Sequence, residues 1–228
     1  MTNTKSKKEI WRVPMPTKEL VMRDKNFNYN ILAKTMLESN RNQNPTGLMK
    51  DDDMRYIYRN KFKETVEPCF LNGANKISKK TFDKHWRYIR KVDFDIIRAE
   101  NTSNGIVYKL NYKDENNRKF VEVPSDILNE LIICSNANVL KTYLVLLYAL
   151  KDENGNNKNY TKISYAWLLS KIGLSEKSLD TMKVIIDFLE NRMKLISVEI
   201  REEVIVITDK NGLTREQYTT PLYYKLVD

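Results

Sequence analysis

Residues 163–200 read ISYAWLLSKIGLSEKSLDTMKVIIDFLENRMKLISVEI, and the apolar period changes within that stretch from helical to strand-like. Ile163, Ala166, Trp167, Leu168 and Ile172 recur at helical spacing. Gly173, Leu174 and Ser175 then form a tight turn, and Leu179, Met182, Ile185, Ile186 and Leu189 mark a second helix. Gly173 allows the bend, Leu174 plugs the angle between the two helices, and Ser175 is expected to cap the second one. Residues 195–200 and 204–208 alternate as strands, with Arg201, Glu202 and Glu203 expected to join them. Two helices at a tight turn followed by a hairpin leave few ways to close a core.

Upstream, residues 125–133 predict a short helix. Leu140, Tyr143, Leu144, Leu147, Tyr148 and Leu150 predict a strongly apolar one. Residues 151–159 (KDENGNNKN) read as a flexible loop. Residues 209–212 (DKNG) turn the chain, and residues 222–227 predict a last strand. This pattern over residues 120–208 resembles the winged helix-turn-helix superfamily, which implies a recognition helix after the turn and a β-hairpin wing.

The same element order occurs earlier in the chain. Phe27, Ile31, Leu32, Met36 and Leu37 predict a first helix. Residues 51–53 are read as acidic caps of a second, whose stripe runs from Met54 to Phe70 with Pro68 inside it. Residues 72–75 form the turn, and Ser78 caps a third helix with Phe82, Trp86 and Ile89 inward. Residues 94–99 and 106–112 predict a hairpin around Asn104 and Gly105. Residues 26–112 thus resemble a divergent copy of the later unit. Two such units resemble the tandem winged-helix replication initiators of plasmids and phages.

The expected fold class is mainly α with small β-hairpins, as two winged-helix domains in tandem. The expected boundaries are a flexible basic arm at 1–25, a first domain at 26–112, a linker at 113–119 and a second domain at 120–228.

Charge separates the two halves. Residues 1–118 hold 25 Lys and Arg against 15 Asp and Glu, while residues 119–228 hold 14 against 15. A basic excess confined to one part of a chain suits a polyanion, because neutralised phosphates release their counterions. Residues 76–91 carry seven basic residues against Asp83 alone. With Phe82, Trp86 and Ile89 inward, Lys80, Lys84, Arg87, Tyr88 and Lys91 share the opposite face, and Lys79 is a further candidate DNA contact. Such a face meets phosphates and base edges in a major groove. Arg98 and Lys109 in the hairpin are expected to touch the adjacent backbone. Lys5, Lys7 and Lys8 would track phosphate.

The second recognition helix has Lys177 and Lys183 against Glu176, Asp180, Asp187 and Glu190. Either Lys177, Ser178, Thr181 and Lys183 reach DNA from its N-terminal end, or this unit contacts protein, by self-association above all.

Enzymatic chemistry is not expected. His85 is the only histidine, which excludes paired-histidine nickase chemistry and disfavours a histidine zinc site. Tyr88 stands where a tyrosine recombinase pattern has arginine. No Gly-Lys pair offers a P-loop, and no Asp-x-Lys or Glu-x-Lys ends a nuclease core. Residues 93–95 read as the start of the wing. Cys69 and Cys134 are expected as reduced thiols. No signal peptide or membrane span is expected. The expected partners are double-stranded DNA and a second copy of the chain through the C-terminal unit, with no catalytic residues, cofactor, metal or membrane, in the cytoplasm. The expected role is replication initiation or origin binding. A transcriptional repressor, or an assembly protein using winged helices for protein contacts, are the alternatives.

Overall fold

A computed structural model describes residues 10–14, 48–50, 78–89, 97–103, 105–110 and 120–227. Its helices and small antiparallel sheets make a mixed α+β protein. The chain separates into two compact units, Met1–Leu144 and Val145–Asp228; the expected linker at 113–119 lies outside the described residues. The predicted helices at 26–40 and 54–70, the acidic residues 51–53, Lys5, Lys7, Lys8 and Cys69 lie outside the described residues.

In the first unit, α1 spans Lys79–Ile89. Ser78 caps it as expected, its Oγ accepting the Thr81 N–H at 3.1 Å. Phe82, Trp86 and Ile89 are buried at 2%, 5% and 0% exposure, which matches their spacing. Each such side chain contributes about 1.5–3 kcal/mol by leaving water. The expected hairpin is β3 (Ile97–Thr102) and β4 (Gly105–Leu110), with β2 (Leu48–Lys50) on the other side of β4. Gly105 has φ +110°, a conformation that disfavours any side chain. The Thr102 hydroxyl closes the turn onto the Gly105 carbonyl at 2.7 Å.

Part of the predicted loose arm is a strand. β1 (Ile10–Pro14) pairs antiparallel with β5 (Phe120–Pro124), Ile10 opposite Pro124 and Pro14 opposite Phe120. Its partner lies more than a hundred residues away, so local polarity gave no sign of the pairing. α2 (Ser125–Cys134) follows β5 directly.

α3 (Ala137–Ala149) is capped by the Asn136 side chain, whose Oδ1 accepts the Asn138 and Val139 N–H groups at 2.9 and 3.2 Å. Burial covers nearly every side of this helix, more than the single face its spacing implies. Tyr148, expected inward, is exposed instead. Burial also pushes the Lys141 ammonium down to about 8.

In the second unit, residues 151–159 are an ordered turn and not a flexible loop. The Asp152 carboxylate accepts the Asn154 and Asn156 N–H groups at 2.9 and 2.8 Å, and Lys158 N–H donates to the Leu150 carbonyl at 2.7 Å. β6 (Thr161–Lys162) leads into α4 (Tyr165–Ile172). Ser164 caps α4 by accepting the Trp167 N–H, and Gly173 ends it in the left-handed region at φ 75°. Leu168, Leu169 and Ile172 are buried, whereas Ala166 and Trp167 face solvent.

Ser175 does not cap the next helix with its side chain. A 3-10 turn, Glu176–Ser178, intervenes before α5 (Leu179–Asp187). The extra turn puts three residues between the serine and the helix start at Leu179, out of reach of its hydroxyl. It also leaves Leu179 exposed, while Met182, Ile185 and Ile186 are buried. α5 runs into a π-helical turn, Phe188–Arg192, closed by Met193 N–H on the Phe188 carbonyl at 3.0 Å. The wider turn keeps both Phe188 and Leu189 buried and aims Glu190 at the Val198 N–H, 2.7 Å away.

The strand pairing differs from the expected hairpin. β7 (Ile196–Ile200) pairs with β10 (Leu222–Leu226), which also pairs with β6. β8 (Glu203–Thr208) pairs with β9 (Thr214–Thr219). Residues 201–203 therefore carry β7 outward into β8 and do not reverse the chain. The reversal is at residues 209–212, where Asp209 Oδ1 accepts the Asn211 and Leu213 N–H groups at 2.8 and 3.0 Å. Pro221 interrupts the returning strand because it has no N–H for the ladder, and Arg201 N–H bonds its carbonyl at 3.3 Å.

These caps give a direct comparison. Ser164→Ala should lower unfolding stability by about 1 kcal/mol, whereas Ser175→Ala should change it far less. Urea denaturation of both variants beside the wild type measures the difference.

Candidate functional site

The basic face of α1 is the first candidate. Its side chains are placed by the burial opposite: Phe82, Trp86 and Ile89 turn inward, so Lys80, Lys84 and Arg87 stand in solvent. Tyr88 is half-buried at the edge of this face, as is His85. Lys79 is drawn to the one acidic residue of the helix, its Nζ 2.6 Å from Asp83 Oδ1. Arg87 Nε donates to the Asp83 carbonyl at 3.3 Å, which holds the guanidinium stem along the helix. Lys91 lies outside the described residues. In the adjacent sheet, the pairing register sets Arg98 opposite Lys109, a cross-strand position with two positive residues.

The second candidate is the N-terminal end of α5. Lys177, Thr181 and Lys183 are exposed, and Ser178 is half-buried. Lys183 is not a clear phosphate contact, because its Nζ lies 3.1 Å from Asp180 Oδ1. Beside it along the solvent face stand Asp180 and Asp187. Glu190, counted with that face in the sequence, turns instead to the Val198 backbone. The two groups of candidate residues belong to different units.

A third cluster, with no sign in the sequence, lies where β7 passes into β8. The Arg201 guanidinium makes a bidentate pair with Glu199, both contacts at 3.0 Å. It also sits 4.4 Å from the Tyr223 ring centre and 5.4 Å from that of Tyr160. Glu203 accepts from both Lys162 and the Tyr223 hydroxyl. The Lys162 hydrogen bond holds the Glu203 carboxyl below its ordinary range, and Tyr223 adds to this. Arg201 does the same for Glu199. These groups come from four strands and the segments beside them, so no spacing could announce them.

Among the described residues, no group of three His, Cys, Asp or Glu could hold a metal ion, and no helix is long and apolar enough to cross a membrane. Comparison with protein-family models, curated proteins and solved structures gives no match for the chain.

The Glu203 cluster has a testable pH signature. Its depressed carboxyl contributes stability above the unfolded carboxyl value of about 4.3, and that contribution is lost as pH falls through the folded value. Glu203→Gln should therefore lower the Tm at neutral pH, and the gap to wild type should close in acid. Thermal unfolding by circular dichroism across pH checks this; a gap that persists unchanged in acid rejects the ionic account.

Proposed function

We propose that the chain binds double-stranded DNA through the basic face of α1, as a sequence-specific plasmid or phage replication initiator or origin-binding factor. The observation that carries this reading is the exposure of Lys80, Lys84 and Arg87 directly opposite buried Phe82, Trp86 and Ile89. A helix with that division meets the requirements of major-groove docking: a fixed apolar back and cations in front. The charge excess of the first 118 residues supports it, since long-range attraction to phosphate needs net positive charge on the approaching part.

A winged-helix architecture is part of the proposal. Its support comes from the second unit, where β6, α4, a tight turn, α5 and a long ribbon follow in order, with sheet order β6-β10-β7. The first unit has α1 followed by the β3–β4 hairpin, which fits the same reading.

The second unit fits protein contact better than DNA contact. Its exposed helix face carries Asp180 and Asp187 beside a Lys183 already paired to Asp180. Phosphate would be repelled there.

The test is a gel-shift titration against duplex DNA, with the target selected from a genomic pool. Affinity should fall by roughly 10³-fold or more between about 50 and 200 mM salt, as expected if six or more phosphates are neutralised. Lys80→Glu, Lys84→Glu and Arg87→Glu combined should abolish binding while the far-ultraviolet circular dichroism stays unchanged. Binding that survives this triple reversal rejects α1 as the contact.

A further inference from the structure

We propose that β8 is an interface for a second copy of this chain, joined edge to edge through an antiparallel pairing centred on Ile205. Among the described residues, β8 and β9 form a ribbon of two strands with no third strand beside them. Val204, Val206 and Tyr218 are 52%, 66% and 74% exposed. Tyr218 is the register partner of Val204 and Glu216 that of Val206, so the three apolar side chains share one side of the ribbon with a single carboxylate.

The two edges of the ribbon are built differently. β9 carries Arg215 and Glu216 within the strand, charges of the kind that keep an edge from pairing. β8 carries Val204, Ile205, Val206, Ile207 and Thr208 in succession, with no charge, proline or glycine. Glu203 at its start does not guard the edge, since Lys162 and Tyr223 hold its carboxylate at the base of the ribbon. An uncharged five-residue edge of high strand propensity, left open, is an aggregation hazard. A chain that protects one edge and not the other has a use for the second.

Charge and symmetry select the occupant. An antiparallel two-fold pairing of one strand with its own copy places residues of the same face opposite each other. Centred on Ile205, it sets Ile205 against Ile205 and Val204 against Val206 of the second copy. These central pairs are apolar, the next sets Ile207 against Glu203, whose carboxylate is already held by Lys162 and Tyr223, and pairs of β-branched residues stabilise a sheet. The same operation on β9, centred on Arg215 or Glu216, opposes like charges. The ribbon also holds no basic excess for phosphate: Glu202, Glu203, Asp209 and Glu216 outnumber Arg201, Lys210 and Arg215. A second copy of β8 therefore fits this edge better than DNA does. The inference goes beyond DNA binding and stands without it.

The full chain tests it by light scattering with size-exclusion chromatography at micromolar concentration. The wild type should run at twice the monomer mass. Ile205→Lys, which opposes two ammonium groups at the two-fold centre, should halve that mass, and Ile205→Val should preserve the dimer. Because the lysine variant could fail to fold, Ile205→Cys gives an independent readout. Under oxidation it should form a covalent dimer on a non-reducing gel, since opposed residues in an antiparallel pair lie within disulfide range. Lys210→Cys at the ribbon tip and the wild type, with Cys69 and Cys134 in every sample, should not. A monomeric wild type overturns the proposal. So does a dimer that persists in Ile205→Lys, or cross-linking no greater at position 205 than at 210.

Discussion

Burial of the Trp86 indole decides which way the charges of α1 face. With Phe82 and Ile89 it occupies one side of the helix, at sequence spacings of four and three. Losing one such aromatic from a core costs about 3–5 kcal/mol. Rolling the helix to hide Lys84 or Arg87 would add several kcal/mol of desolvation for each ion. Both terms favour the same orientation, so the cationic face does not depend on any surface contact.

The second unit treats its charges in the opposite way. Arg201 is held by Glu199, Lys162 by Glu203, and Lys183 by Asp180. Each pair cancels most of its field within a few ångströms, and salt screens the remainder over about 8–10 Å. Exposed pairs of this kind add little stability, but each leaves little field of its own toward a polyanion. On α1, by contrast, a single Asp83 engages Lys79 and leaves Lys80, Lys84 and Arg87 to solvent. The difference in partner charge separates the surfaces of the two units electrostatically.

What the sequence revealed was local. Ser78, the Phe82–Trp86–Ile89 spacing, Gly105 at the hairpin turn and the Gly173 bend all act within a few residues, and each is found where its chemistry requires. What it concealed depends on distant partners. Residues 201–203 look like a hairpin loop until β10 takes β7 and β9 takes β8. The arm at Ile10–Pro14 looks loose until β5 pairs with it. The serine that caps is Ser164, while Ser175 is separated from α5 by a 3-10 turn. Polarity alone could not distinguish the ordered Asp152 turn from a mobile loop, because its Asn residues are polar in both cases. For the candidate site, Lys80, Lys84 and Arg87 followed from periodicity, whereas the Arg201–Tyr223–Glu203 cluster had no local signature.

The salt dependence of DNA affinity for the wild type and Lys84→Gln tests the central claim most directly. If Lys84 neutralises a phosphate from the exposed face of α1, the slope of log affinity against log salt becomes shallower by about one in the variant. Identical slopes for the two proteins would contradict the account.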